Sequence, residues 1–502
     1  MSEQLPAPIP FFDWYGIWAG HGGVGRDGLS WIQDPPAGDL QLRVQQATLA
    51  PLNLAAERPW EAGGITPNLV MEHDGVLKMW YRSMGDDGTL YIAYAESADD
   101  GMTWERPELG LVEYGGSSAN NLLHTNEHFA LHCVFVDPSA PPEERYKSVI
   151  TGGRVYIDGE LNTTITKPEV KEMRRAMQHE GFSPDKIAEK IEIRQVIWGA
   201  VSPDGLRWTK LEEPVRDLGS KTLDGGYDVH YDAERDAYIA IHRGHLERRR
   251  SIRRSVGRAF DDWEEPRFMF APDPQDPIDV DVYASCYCRY PGGGDRHLMF
   301  LPFYHRRLST VDIQLATSRD GELWSRPERV PIIPRGQYDS IYGLPQLVPH
   351  GPDEWGLLLV ATHHRHDFKT YTPEEGEKEV AEPPATWHWA KWKRDRLVAL
   401  TAEGEAQFTM VQRVCHGSEM RMNFATERGG WVRVELVYTP QTPPQPVEAY
   451  PGFGLEEADP LVGDDLSRVV TWKGCGDLSS LKGKEVSIRI HMARARLFSI
   501  AI

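Results

Sequence analysis

The chain has 502 residues, 40% hydrophobic and 26% charged, with 46 glycines, 37 prolines and a formal net charge of -20. That acidity repels phosphate backbones and anionic lipid, which sets aside nucleic acid and membrane surfaces as partners. The length exceeds what one hydrophobic core usually fills, so two domains are expected, and abundant Gly and Pro suit the tight turns of an all-β chain.

The opening segment, MSEQLPAPIPFFDWYG, has neither a basic n-region nor an apolar h-region. No apolar run approaches the roughly 20 residues that span a bilayer. A cytoplasmic location is therefore expected. The five cysteines, Cys133, Cys286, Cys288, Cys415 and Cys475, follow no regular spacing. They read as small core residues rather than a disulfide framework or a metal site, and neither metal nor cofactor is expected.

A short pattern recurs along the chain. SADDGMTWERPE begins at Ser97, SPDGLRWTK at Ser202 and SRDGELWSRPE at Ser318, while FDDWEEP from Phe260 keeps the Asp and Trp without the Gly. Ser-x-Asp followed by Gly and a Trp three residues on describes a hairpin connection. The Asp accepts backbone N–H groups, Gly supplies positive φ, and the Trp folds back over the hairpin. Strand-like runs precede the copies: TLYIAYAES, VIWGAVS and VDIQLATS. The marker tryptophans are Trp104, Trp208, Trp263 and Trp324, with Trp389 and Trp392 where a fifth would fall. Such regular β units predict a five-bladed β-propeller over residues 1–400. The first, double-length interval holds KPEVKEMRRAMQHEGFSPDKIAEKIEI, which predicts a helical insertion at about 166–193. The tail, 401–502, alternates short strands with Pro- and Gly-rich turns and predicts an antiparallel β-sandwich serving as an accessory domain.

PWEAGGITPNLV, AYAESADDGMTWERPELGLVEYGGSSANNLL and the tail PGFGLEEADPLVGDD…VTWKGCGDLSSLKGKEVSIRIHMARARLFSI resemble a group of bacterial glycosyl hydrolase-like proteins similar to glycoside hydrolase families 32 and 43. The resemblance covers nearly the whole chain and implies a five-bladed propeller joined to a β-sandwich. It implies a glycoside hydrolase, and the expected cytoplasmic location favours short sugars or conjugates over polymers. The family 32 signatures NDPNG, RDP and EC are missing from this sequence.

Glycosidic cleavage usually needs one protonated and one ionised carboxyl group. Acids just before each predicted blade's first strand converge on the propeller axis, which selects Glu61, Asp228, Asp281 and Asp339 as catalytic candidates. Asp228 or Glu61 is assigned as base or nucleophile, Asp281 as acid and Asp339 as an orienting group. Asp279 and Asp281 share a strand face, and two close like charges would raise one pKa. Glu127 and Asp224 are further acids at blade starts, and Asp224 reads equally as a turn former beside Gly225 and Gly226.

Aromatic and basic groups beside these acids are the substrate-binding candidates: Trp60, His128, Tyr227, His230, Arg254, Tyr283, His305, Tyr338, His363 and His366. The run HRGHLERRRSIRRSVGR reads as a solvated edge strand or, with FYHRRLS and THHRHDF, as a seat for carboxylate, sulfate or phosphate. The expected function is therefore glycoside hydrolysis of a small oligosaccharide or glycoconjugate, neutral or anionic. The alternatives are phosphorolysis using inorganic phosphate, or a non-catalytic sugar-binding propeller. A homo-oligomer is compatible with all three.

Overall fold

The structure is a computed structural model describing residues 7–126, 129–162, 167–218, 227–292, 296–366, 370–372, 376–378, 385–438 and 447–502. Its described part is built mostly of antiparallel strands. Two helices, Lys167–His179 and Pro184–Lys190, interrupt the second sheet at the position expected for an insertion.

The first sheet runs from Ile65–His73 through Val76–Met84 and Leu90–Ser97 to Leu122–Thr125. The second starts at Cys133–Val136 and the third at Tyr227–Asp232. A fourth sheet of nine strands consists of two antiparallel runs. One begins at Val280–Val282 and the other at Ser340–Pro349, and a single parallel pairing, Val311 with Ser340, joins them. The N-terminal strand Thr48–Pro51 pairs with Thr386–Lys393 at the end of the second run. The chain thus returns to its beginning before the first sheet starts.

The repeated motif does what its composition predicts. In all three full copies the Ser hydroxyl donates to the Asp carboxylate and accepts the Gly N–H. The distances are 2.8 and 2.9 Å at Ser97, 3.1 and 2.9 Å at Ser202, and 2.9 and 2.9 Å at Ser318. Gly101, Gly205 and Gly321 take φ of +83°, +78° and +69°, which a side chain would strain. The Trp208 indole N–H donates to the Gly205 carbonyl at 2.8 Å, and Trp263 reaches the Phe260 carbonyl at 2.6 Å.

Each turn also binds the sheet before it. Trp80 of the first sheet donates to Gly205 O at 2.7 Å, Arg216 of the second to Trp263 O at 2.6 Å, and Arg235 of the third to Asp320 O at 2.8 Å. His350, in the last run, lies 3.1 Å from Asp100 O of the first sheet. Trp389 and Trp392 break the pattern, because both lie inside a strand and mark no turn. There the link is Tyr290 donating to the carboxylate of Asp395.

The C-terminal strands form one hydrogen-bonded sheet around the long strands Arg421–Tyr438 and Glu485–Ala501. Gly430 marks a bulge in the first of these, where a Cβ would sit 2.3 Å from Arg494 O. Ile9–Pro10 and Leu40–Val44 pair into this sheet, and its strand Val398–Thr409 starts ahead of residue 401. The boundary expected at residue 400 is corrected accordingly: N-terminal strands belong to the C-terminal sheet. One apolar cluster, including Phe12, Trp355, Trp392, Phe408 and Phe424, runs without interruption between the two parts.

If the turn-to-sheet bonds hold the sheets together, Trp80→Phe should lose a buried N–H···O bond and some packing volume. An unfolding free energy lower by about 2–3 kcal/mol is expected in urea titrations, with an unchanged fold by circular dichroism.

Candidate functional site

The innermost strands meet side by side around a cavity of about 300 Å³. Its lining comes from Thr66, Pro67 and Asn68 of the first sheet, with Arg82 on the neighbouring strand. The second sheet supplies His132, the third Tyr227 and Asp228, and the fourth Ala284, Cys286, Gly343, Leu344, Pro345 and Trp387. Three of these strands lose ladder register at the lining itself. Breaks fall between Pro67 and Leu69 and between Gly343 and Leu347, and residues 283–286 separate two short strands that pair with the same partner. Bulges re-aim side chains, and around this lining side chains tie neighbouring strands together. Asn68 Nδ2 donates to Leu131 O at 2.7 Å, Val229 N–H to Cys133 Sγ at 3.3 Å, and Cys286 Sγ to Gly343 O at 2.9 Å.

Asp228 is the centre of this arrangement. Its Oδ2 accepts the Tyr287 N–H at 3.0 Å and the Ser285 hydroxyl, and neither bond uses Oδ1. Burial raises its pKa from 3.8 to about 6, against the pull of those two bonds. His132 is exposed where it opens into the cavity, with the protein crowding its inner side. Desolvation, helped by the charge of Arg82, holds its pKa down to about 4, so the imidazole is neutral near pH 7. Burial alone lowers the pKa of Arg82, and its Nε has no partner among the described residues. Cys286 and Cys288 are buried thiols whose pKa burial pushes upward, so neither is a ready thiolate.

The other catalytic candidates do not line this cavity. Glu61 is fully buried and consumed: Oε1 accepts Tyr81 Oη at 2.7 Å and Arg106 Nε at 2.9 Å, and Oε2 accepts the Glu57 and Arg58 N–H groups at 3.0 and 3.2 Å. Asp281 is surrounded by arginines rather than by a second acid. Arg250 approaches its Oδ2 at 3.1 Å, Arg306 at 2.8 Å, and Arg249 its Oδ1 at 3.9 Å. Asp339 is half-buried where its backbone joins two strands, bonding Thr362 O and the Val311 N–H. Convergence of four acids on one opening is thus corrected: Asp228 alone of them lines the cavity, because distant cationic or backbone partners engage the others elsewhere. Glu127, His128 and Asp224 lie outside the described residues.

Among the binding candidates, Tyr227 lines the cavity and stacks on His242 at 5.3 Å. The rest lie elsewhere. Trp60 donates to Asn121 Oδ1 at 2.8 Å. His230 stacks on Tyr287 at 4.5 Å, with burial lowering its pKa to about 3. Arg254 pairs with Glu322 at 3.2 Å and His305 with Asp312 at 2.8 Å. Tyr338 meets His388 at 2.9 Å and the ring of His363 at 4.7 Å. Tyr283 receives the guanidinium groups of Arg243 and Arg250 on its ring, with His366 at its edge.

Arg82, His132, Asn68 and Trp387 were missed. Arg82 interrupts the apolar run LKMWYRS, and His132 immediately precedes CVFV. A search for any polar group at a blade's first strand, not acids alone, would have found His132. Among the described residues no cluster of His, Cys, Asp and Glu is arranged to hold a metal ion.

No known family profile and no curated protein matches the chain. Solved structures do. The Bombyx mori GH32 β-fructofuranosidase aligns at 11% identity and a TM-score of 0.36, over 86% of this chain and 91% of that one. A Lactobacillus gasseri sucrose-6-phosphate hydrolase aligns at 8% and 0.36 over 87% and 90%. The catalytic domain of a Coprinopsis cinerea GH62 α-L-arabinofuranosidase aligns at 12% and 0.33 over 69% and 97%. These structural neighbours are glycosidases, as the sequence resemblance implied, and the likeness is a distant one that assigns no residue a role.

Two variants separate a fully paired acid from an underpaired one. Glu61→Gln breaks a buried ion pair and should cost about 3–5 kcal/mol. Asp228→Asn should do the opposite. A carboxyl group whose folded pKa is raised penalises the folded state as pH climbs from the unfolded value through about 6. At pH 8 the variant should therefore be more stable than the parent by about 1–3 kcal/mol, and the gap should close below pH 4. Denaturant titrations across pH read both effects.

Proposed function

We propose that the chain is a glycosidase of the five-bladed propeller type, cleaving a small sugar at the axial cavity with Asp228 as general acid, in place of the base or nucleophile role expected for it and the acid role expected for Asp281. The observation that carries this is a single buried carboxyl group, raised to about 6 and bonded on one oxygen only, facing a cavity of sugar size. An acid of that pKa is partly protonated near neutrality, as proton donation to a leaving oxygen requires. The half-buried ring of Trp387 offers an apolar surface for a sugar face, and Asn68 and Thr66 offer hydrogen bonds to hydroxyls.

Among the described residues the cavity lining contains no second carboxylate, the usual activator of water in hydrolysis. This favours phosphorolysis as the second reading. An oxygen of inorganic phosphate would attack the anomeric carbon. The glycosidic electron pair would leave on the departing oxygen, which takes the proton of Asp228. Turnover that stops in phosphate-free buffer would select phosphorolysis, and unchanged turnover would select hydrolysis.

A panel of glycosides tests the shared claim. Asp228→Asn should lower kcat by about 10²–10⁴-fold on alkyl glycosides and far less on dinitrophenyl glycosides, whose leaving group needs no proton. Because the acid works protonated, kcat/KM should fall as pH rises through about 6. Equal loss on both substrates, or no loss, removes Asp228 from this role.

A further inference from the structure

Several half-buried arginines elsewhere in the chain meet carboxylates, although Arg413 has none among the described residues. Arg106 meets Glu61 at 2.9 Å, Arg326 meets Asp276 at 2.6 Å, and Arg489 meets Asp34 at 2.8 Å. Arg82 does not. It stands on the strand Val76–Met84, opposite Thr66, with its guanidinium in the cavity wall. Among the described residues it has no hydrogen-bond or ion-pair partner, and Asp228, in the same lining, spends its bonds on Ser285 and Tyr287. A guanidinium partly withdrawn from water, with a buried Nε and no counter-charge, bears a desolvation cost that an arriving anion offsets. Its neighbours suit that arrival. His132 is close enough to feel its charge, and Asn68 is fixed by its bond to Leu131 O, next in sequence to His132.

We propose that Arg82, with His132 and Asn68 beside it, forms an oxyanion seat in the axial cavity. The seat takes either inorganic phosphate or an anionic group carried by the sugar. A planar guanidinium offers two parallel N–H donors to two oxygens of such a group, a neutral imidazole adds a third donor, and neither contributes a repelling negative charge. The inference rests on the cavity being the reaction site and adds the class of ligand that the site takes.

Titration calorimetry on the full chain tests it, with inorganic phosphate, sulfate and glucuronate as probes and glucose as the neutral control. At least one oxyanion should bind more tightly than glucose, and R82Q should weaken it by about tenfold or more. R82K keeps the charge but loses the paired donors, so affinity should still fall several-fold. That variant decides the matter if R82Q does not fold. Phosphate binding without glucuronate binding identifies a free co-substrate, and glucuronate binding alone identifies an acidic sugar. No oxyanion binding to the parent chain, or unchanged affinity in the folded variants, overturns the proposal. Turnover of neutral glycosides with no oxyanion bound would sink the seat and leave the glycosidase reading standing. Oxyanion binding without turnover of any glycoside would do the reverse.

Discussion

A circuit of sheets has to be closed, and here the closure is a strand from the other end of the chain: Thr48–Pro51 pairs with Thr386–Lys393. Without it the last sheet would expose an unpaired edge beside the first, and the innermost strands would have no fixed distance from one another. The links at the turns repeat the same constraint at each junction. A donor on one sheet, such as Trp80 or Arg235, grips a carbonyl in the turn of the next. Because each sheet is held by its neighbours on both sides, the central strands can afford irregular backbone.

That irregularity makes the site. A regular ladder would spend the Tyr287 N–H on a strand partner. The break at residues 283–286 frees it for Asp228, together with the Ser285 hydroxyl. Two donors are enough to keep a carboxyl group in place and too few to offset its desolvation, so its pKa settles near 6 instead of below 4. Glu61 shows the other limit. It too is buried, but a guanidinium, a phenol and two backbone N–H groups surround it, and it acts as a clamp on the first sheet. The chemistry of each acid follows from its count of donors more than from its depth.

The turns were legible in the sequence because every contact that shapes them is local: Ser, Asp, Gly and Trp within eight residues define Ser97–Trp104. The tryptophan pair at 389 and 392 misled, because a Trp in a strand and a Trp closing a turn look alike without their Asp and Gly. The acids were harder for a related reason. Nothing near Glu61 announces Arg106, which lies 45 residues on, and nothing near Asp281 announces Arg250, 31 residues back. Asp228 was found by the same rule that selected the others and differs only in what the fold withholds from it. Arg82 was passed over as one polar residue in an apolar strand, since the absence of a partner cannot be read from a sequence.

Asp228 and Arg82 line the same cavity from different sheets. Opposite charges sharing one small cavity would ordinarily gain by pairing, and in the described structure they do not. The acid stands on the third sheet and is held by bonds to the fourth, while the arginine stands on the first. A ligand lying between them can take a proton from one side and offer negative charge to the other. On the proposed reading, the separation of the two groups leaves room for such a ligand between them.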